Sequence, residues 1–333
     1  MPALISVVIP AYDESACVDE LARRLAIVAD ACAARYTFEI IVVENGSRDD
    51  TYTKLLAIRE HDARFKIVQL SRNFQMEGGM IAGLSHARGE ACVIMSADLQ
   101  DPPEMIPALL ERWEAGYENV YTIVTRRSDE SLFRRFAANT FYRIINRVSD
   151  SPVPMNASDF RLVDRALYEA FNDLSERYRM VRATWGWLGF RSIGIEYVRP
   201  PRHGGTSTFN PFVTASYAIK GILASSFAPL KVIPLFGLTL SAFSFLLLAA
   251  IIVRAIFFGV PFNGFGTIIG VSLLLFGFLF LLLGLVSEYV GMIFHEVRGR
   301  PLFVERLVHG FDTAEPRANG AAPVKARRAT KTH

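Results

Sequence analysis

Two stretches in the last third of the chain, residues 232–253 and 268–286, contain no charged side chain. They are 22 and 19 residues long. A helix rising about 1.5 Å per residue over such lengths crosses a hydrocarbon core of about 30 Å. A soluble fold would have to bury both runs as one apolar helical hairpin, whereas a bilayer accepts each as a span. We therefore expect a two-span hairpin over residues 232–294. The link GVPFNGFG (259–266) is uncharged, Lys220 and Lys231 precede the first run, and Arg298, Arg300 and Arg306 follow the second. Arg254 alone points the other way. Basic flanks stay on the cytoplasmic side, so both ends are expected there, in a multi-pass protein.

The hydrophobic share of 51% over 333 residues is concentrated in that region, and residues 1–200 carry charges throughout. The run at 4–9 lacks a basic flank and stops at Pro10, which reads as a first β-strand rather than a signal peptide. Cys17, Cys32 and Cys92 form no metal spacing and suit a reducing compartment. ISVVIPAY (5–12), FEIIVVENGS (38–47), FKIVQLSRN (65–73) and ACVIMSAD (91–98) are apolar runs ending in polar turns. Helical stretches lie between them at 17–35, 49–61 and 78–87. This alternation predicts an α/β fold with a mostly parallel sheet covered by helices on both faces. Ligands of open sheets bind beyond the carboxyl ends of the strands. Tyr12-Asp13-Glu14, Glu44-Asn45, Ser71-Arg72-Asn73 and Asp98-Leu99-Gln100-Asp101 would then share one rim.

After Gly116 the pattern turns basic and helical, with Arg126, Arg127, Arg134, Arg135, Arg143 and Arg147. In SDFRLVDR (158–165), Ser158 or Asp159 is placed to cap a following helix. RYRMVRATWGWLGF (177–190) is basic and aromatic, and IGIEYVRPPR reads as a further strand. Residues 209–231 suit an amphipathic segment on a membrane surface. The tail after Phe311, rich in Ala, Pro, Lys and Arg, has the composition of a disordered segment.

The chemistry is concentrated in IMSADLQDPPE (94–104). Carboxylates and an amide at a strand end are hard oxygen donors of the kind Mg²⁺ and Mn²⁺ take, and the double proline can start a helix. An ordinary acidic turn reads similarly. The chain has no P-loop, no GxGxxG after its first strand and no Ser-His-Asp pattern, and its six histidines lack metal spacing. The net charge of +3 is modest, and nucleic acid is not among the expected partners. An acidic rim, many arginines suited to phosphate and a membrane anchor together suit transfer from a nucleotide diphosphate to something held at the membrane.

Six motifs, in order, carry a resemblance: IPAYDE, VVENGSRDDT, LSRNFQMEGGMIAGLSHARGE, SADLQDPPE, SDFRLVDR and RHGGTSTF. They resemble the family 2 glycosyltransferases of GT-A fold. Within that family they are most similar to the polyprenyl-phosphate sugar transferases with two C-terminal spans. The resemblance covers residues 4–310. It implies that Pro10, Ala11, Tyr12 and Glu14 line a nucleotide pocket, with Glu44 and Asn45 where the family has aspartates. The Asn45 carbonyl would accept the imino proton of uracil. Arg72 is a further nucleotide contact, and Asp98 and Gln100 are the metal pair. Ser96 replaces the first Asp of the family's DADLQDPPE and would hydrogen-bond a water or the ribose. Arg126, Arg134 and Arg202, helped by Arg179 and Arg182, would hold an acceptor phosphate, and Asp159 would orient sugar or acceptor. Thr208 stands where the family's last basic motif has a lysine.

The resemblance further implies a cytoplasmic GT-A unit over 1–208, the interface segment 209–231, the hairpin 232–294 and a basic segment 295–333. The protein would lie in the inner (cytoplasmic) membrane and transfer a hexose with inversion from a UDP-sugar to undecaprenyl phosphate, using Mg²⁺ or Mn²⁺. Transfer to another lipid acceptor and a non-catalytic scaffold are the alternatives, and self-association stays open.

Overall fold

The structure is a computed structural model that describes residues 2–125, 157–176, 181–200, 228–259 and 264–311. The first four strands are β1 (Ala3–Ala11), β2 (Tyr36–Glu44), β3 (Phe65–Leu70) and β4 (Ala91–Ile94). Helices α1 (Val18–Ala31), α2 (Thr51–His61) and α3 (Gln75–His86) connect them. The apolar residues of α1 (Val18, Leu21, Ala22, Leu25, Val28 and Ala29) recur at helical spacing and are buried. Asp19 and Glu20 sit in its first turn, where the helix dipole favours acids.

β1 lies between β2 and β4, parallel to both, and β3 extends the parallel set beyond β2. Alternate residues of these strands feed two cores. One holds Val7 and Ile9 with α1 and the helix α4 (Ile106–Glu114). The other holds Val8 with α3, α5 (Arg165–Asp173) and α6 (Val181–Trp187). Both faces are covered, as the near-continuous apolar runs required.

Three features depart from the expectation. The segment after Gly116 opens as a strand, β5 (Asn119–Thr125), and not as a helix. SDFRLVDR is also a strand, β6 (Ala157–Asp164), inserted antiparallel between β4 and β5. Neither Ser158 nor Asp159 caps a helix there; Asp164 does, accepting from the Ala166 amide of α5. The sheet is accordingly mixed, in the order β7–β5–β6–β4–β1–β2–β3–β8, with β7 at Ser192–Val198 and β8 at Glu305–His309.

The third departure follows the long apolar helices. Helix α7 spans Ala228–Phe258 and α8 spans Phe265–Val297. Among the described residues one segment, Leu274–Val297 in α8, is apolar and long enough to cross a membrane, and few of its residues are buried. One candidate span thus stands where two were expected, and the run 232–253 lies inside α7. Beyond α8 the chain returns to the sheet as β8 (Glu305–His309), antiparallel to β3. Phe303 is buried in the second core. Glu305 accepts from His86 Nε2 at 2.7 Å, and the Tyr52 hydroxyl lies 2.9 Å from His309 Nε2. Burial and the nearby Arg59 lower the His309 pKa. β8 covers what would otherwise be an open strand edge. It also ties the end of α8 to the same sheet that carries the polar rim. Residues 209–227 of the expected interface segment and the tail beyond 311 lie outside the described residues, and residues 228–231 begin α7.

Candidate active site

The rim expected from the strand ends is present. Four loops leave β1, β2, β3 and β4 at the same end of the strands; those after β1, β2 and β3 are joined to one another by hydrogen bonds, and the one after β4 is bonded within itself and to Tyr197. The β1 and β2 loops are laced reciprocally. Asp13 donates its amide to Ser47 Oγ at 3.1 Å, and its carboxylate accepts the Arg48 amide at 2.7 Å. The amides of Glu14 and Ser15 donate to Thr51 Oγ1 and Asp49 Oδ2 at 2.9 and 3.1 Å. Burial raises the Asp49 carboxyl, but hydrogen bonds from Thr51 and Ser15 outweigh it and bring the pKa down to about 2. Glu44 is buried and its carboxylate accepts the Ser47 amide, so it folds its own turn.

The β2 and β3 loops touch more closely still. Gly46 has φ +73°, and a Cβ there would lie 2.6 Å from the Arg72 carbonyl carbon. We expect Gly46→Ala to lower the thermal unfolding midpoint in detergent by roughly 5–10 °C, from left-handed strain plus overlap with immovable backbone. Arg72 lies over the Phe74 ring, 4.1 Å from its centroid, and donates to the Asn73 carbonyl. Ser71 donates its amide to the Val304 carbonyl at 2.9 Å, which joins this loop to the chain leaving α8.

The β4 loop holds the expected metal pair. Asp98 is buried, and its Oδ1 accepts from Ser96 Oγ at 2.8 Å and the Gln100 amide at 3.2 Å. Leu99 between them has φ +61°, which turns the loop back on itself. Ser96 Oγ also lies 2.6 Å from Asp101 Oδ2, an oxygen that accepts the Ser96 amide at 3.0 Å. Asp101 is 2% exposed; the Tyr197 hydroxyl donates to its Oδ1 at 3.1 Å and Arg199 lies 3.6 Å away. Burial pushes the Asp101 carboxyl up against the pull of these hydrogen bonds. A hydroxyl has one hydrogen, so both Ser96 contacts are hydrogen bonds only when a carboxyl carries a proton. Asp101 is the acid whose surroundings favour that.

Asp159 lies on β6. The pairing of Ile94 with Arg161 puts Asp159 two residues further towards the rim. Arg161, on the same face of β6 by strand alternation, is 3% exposed, donates to the Ser158 carbonyl at 3.0 Å and lies over the Trp185 ring. Sequence reasoning assigned no role to Asp101, Tyr197, Arg199 or Arg161. The second acid of the DLQD run was the one available signal for that group. Pro10, Ala11 and Tyr12 sit at the end of β1, as expected. Arg126, Arg134, Arg179 and Arg202 lie outside the described residues, and Arg182 falls on α6.

The glycosyl transferase family 2 profile matches residues 6–171. An uncharacterized glycosyltransferase of Synechocystis sp. is 36% identical over 300 residues, covering 90% of this chain and 94% of the relative. This chain belongs to glycosyl transferase family 2. A second relative, the SfII prophage-derived bactoprenol glucosyl transferase of Shigella flexneri, is 32% identical over 92% of this chain and 98% of its own length. The prophage bactoprenol glucosyl transferase homolog of Escherichia coli is 30% identical over 91% and 99%. Each of these matches covers nine-tenths of this chain or more and more than nine-tenths of the relative, so the likeness is of whole chains. The mixed α/β sheet is that of a GT-A nucleotide-sugar transferase, and the chain is a glycosyltransferase.

Among the described residues no three His, Cys, Asp or Glu side chains converge on one point. A divalent cation would thus take few protein ligands from this rim. Asp98 and Gln100, two positions apart in the same loop, carry hard oxygen donors of the kind such a cation takes. Asp101 is held through both its oxygens by Ser96 and Tyr197.

Proposed function

We propose that this family 2 transferase moves a hexose from a UDP-sugar to undecaprenyl phosphate, inverting the anomeric centre. The observation that carries the reading is the strap beyond α8. It pairs with β3 and bonds Ser71, so an apolar helix is joined directly to a water-facing donor rim. An acceptor with a lipid tail and a charged head suits that junction. The names of the Shigella and Escherichia relatives support the same acceptor class.

In this mechanism an acceptor phosphate oxygen attacks the anomeric carbon from the side opposite the diphosphate. The bond from that carbon to the leaving oxygen breaks, and UDP departs. Mg²⁺ or Mn²⁺ held by Asp98 and Gln100 would offset the charge of the leaving diphosphate. Pro10, Ala11, Tyr12 and Glu14 border the donor pocket, with Arg72 beside it. The hydroxyl of Ser96 keeps Asp98 aimed. Arg126, Arg134 and Arg202, with Arg179 and Arg182, hold the acceptor phosphate, and Asp159 orients sugar or acceptor. No side chain has to remove a proton, because a phosphate monoester is already about −1.5 to −2 charged at pH 7.

The test is incubation with a panel of nucleotide sugars and undecaprenyl phosphate, with mass analysis of the lipid product. A polyprenyl-phosphate hexose from one UDP-sugar is expected. Product only on a neutral lipid favours the other-acceptor reading, and no product with any donor favours a scaffold. The reading includes two crossings, through α7 and α8, with both chain ends in the cytoplasm. A cysteine at Asn263 should then react with an impermeant label in intact cells, and labelling only after permeabilisation would rule the second crossing out.

A further inference from the structure

We propose that Asn45 is a positioning residue that clamps the loop after β3 into its donor-binding shape, and that it does not read the nucleobase. The inference rests on the donor reading above and assigns Asn45 a different task from the one its place in the motif implies. Asn45 is 2% exposed. Its Oδ1 accepts the Phe74 amide at 2.9 Å, and its Nδ2 donates to the Gln75 carbonyl at 2.7 Å. Only one orientation of the side-chain amide satisfies both contacts, since the first partner is a donor and the second an acceptor. A Cβ on Gly79 would lie 3.3 Å from Asn45 Nδ2, so the N-terminal turn of α3 closes the space behind it.

The clamp has something to hold. Gln75 has φ +65°, a left-handed conformation that a residue with a Cβ rarely takes unaided. The Gln75 amide is tied to Asn73 Oδ1 at 2.7 Å and its carbonyl to Asn45. Together these turn the chain so that Phe74 faces the Arg72 guanidinium. Aspartate at 45 could still accept from Phe74. Its second oxygen would face the Gln75 carbonyl at hydrogen-bond distance with no hydrogen between them. Asparagine is therefore what this loop requires, and discrimination among nucleotides falls to the loop it holds.

The two roles predict opposite results. Asn45→Asp should weaken UDP and GDP binding by about tenfold each, leaving their ratio within about threefold of wild type. Asn45→Ala should speed amide hydrogen exchange at Phe74 by at least tenfold. Adding Gln75→Gly, which removes the left-handed penalty, should restore about fivefold of the UDP affinity lost in Asn45→Ala. All binding is measured on the full-length protein in detergent with UDP and GDP as probes. A base-reading Asn45 gives the contrary: Asn45→Asp tightens UDP at unchanged GDP affinity, or Phe74 exchange in Asn45→Ala stays at wild-type rates. Either result overturns the proposal. If the wild-type protein binds neither nucleotide, the donor reading and the nucleotide half of this inference fall together, and Phe74 exchange still decides the clamp.

Discussion

Asp98→Asn is expected to lower sugar transfer by a factor of about 10²–10³, the range found when one group that stabilises transition-state charge is removed. The substitution is close to isosteric, and a carbonyl oxygen at 98 can still accept from Ser96 Oγ and the Gln100 amide, as Asp98 does. Folding and membrane insertion should therefore be unchanged; only the charge is lost. Chelation with EDTA should reduce the wild-type rate by a similar factor, with recovery on adding Mg²⁺ or Mn²⁺. The variant should need far more metal for half-maximal rate, as expected when a carboxylate ligand becomes an amide. Near-normal turnover by the variant, or a wild type indifferent to chelation, would remove the metal role from Asp98.

The same neighbourhood accounts for Ser96. Its hydroxyl stands within hydrogen-bond distance of Asp98 and of the buried Asp101. An aspartate in its place would press three carboxylates together, and like charges so close cannot all ionise without a cation. Serine lets the rim close as a hydrogen-bonded set.

The parallel strands were legible because burial on both faces leaves long runs of Val and Ile, and the loops that follow them had to reach one rim. β6 was not. Its sequence alternates apolar residues with Asp159, Arg161 and Asp164, and that pattern with a serine in front reads equally as a capped helix. The pairing with β4 and β5 selects the strand, and the burial of Arg161 beside Trp185 is a tertiary fact with no local signature. β8 was missed for a related reason. Five residues holding Glu305, Arg306 and His309 have little strand character until β3 offers an edge and His86 and Tyr52 offer partners. At Asn45, the family motif identified the position but not the task. That task depends on backbone groups of Phe74 and Gln75, 29 and 30 residues away in sequence.

The acceptor determines the remaining large effect. If the nucleophile is a phosphate that is ionised before it binds, the arginines supply charge and geometry, and no residue is an essential base. Arg126→Ala and Arg202→Ala should each lower transfer by about 10–100-fold, the worth of a hydrogen bond to a charged group. Near lipid, where the dielectric is low, the effect belongs at the upper end. Lysine at either position should recover only part of the loss, since it restores the charge without the planar fork. The rate should rise with pH through the acceptor's second ionisation near pH ~6 and then level off, because the monoanion below that pH is the weaker nucleophile. An enzyme with a side-chain base would behave otherwise: its profile would follow that base, and Asp159→Asn would remove the rising limb. Comparing undecaprenyl phosphate with the neutral polyprenol separates the two mechanisms. A hydroxyl far above pH 7 in pKa needs a base to react, so comparable turnover of both lipids would replace the pre-ionised phosphate with a hydroxyl acceptor and make Asp159 the base.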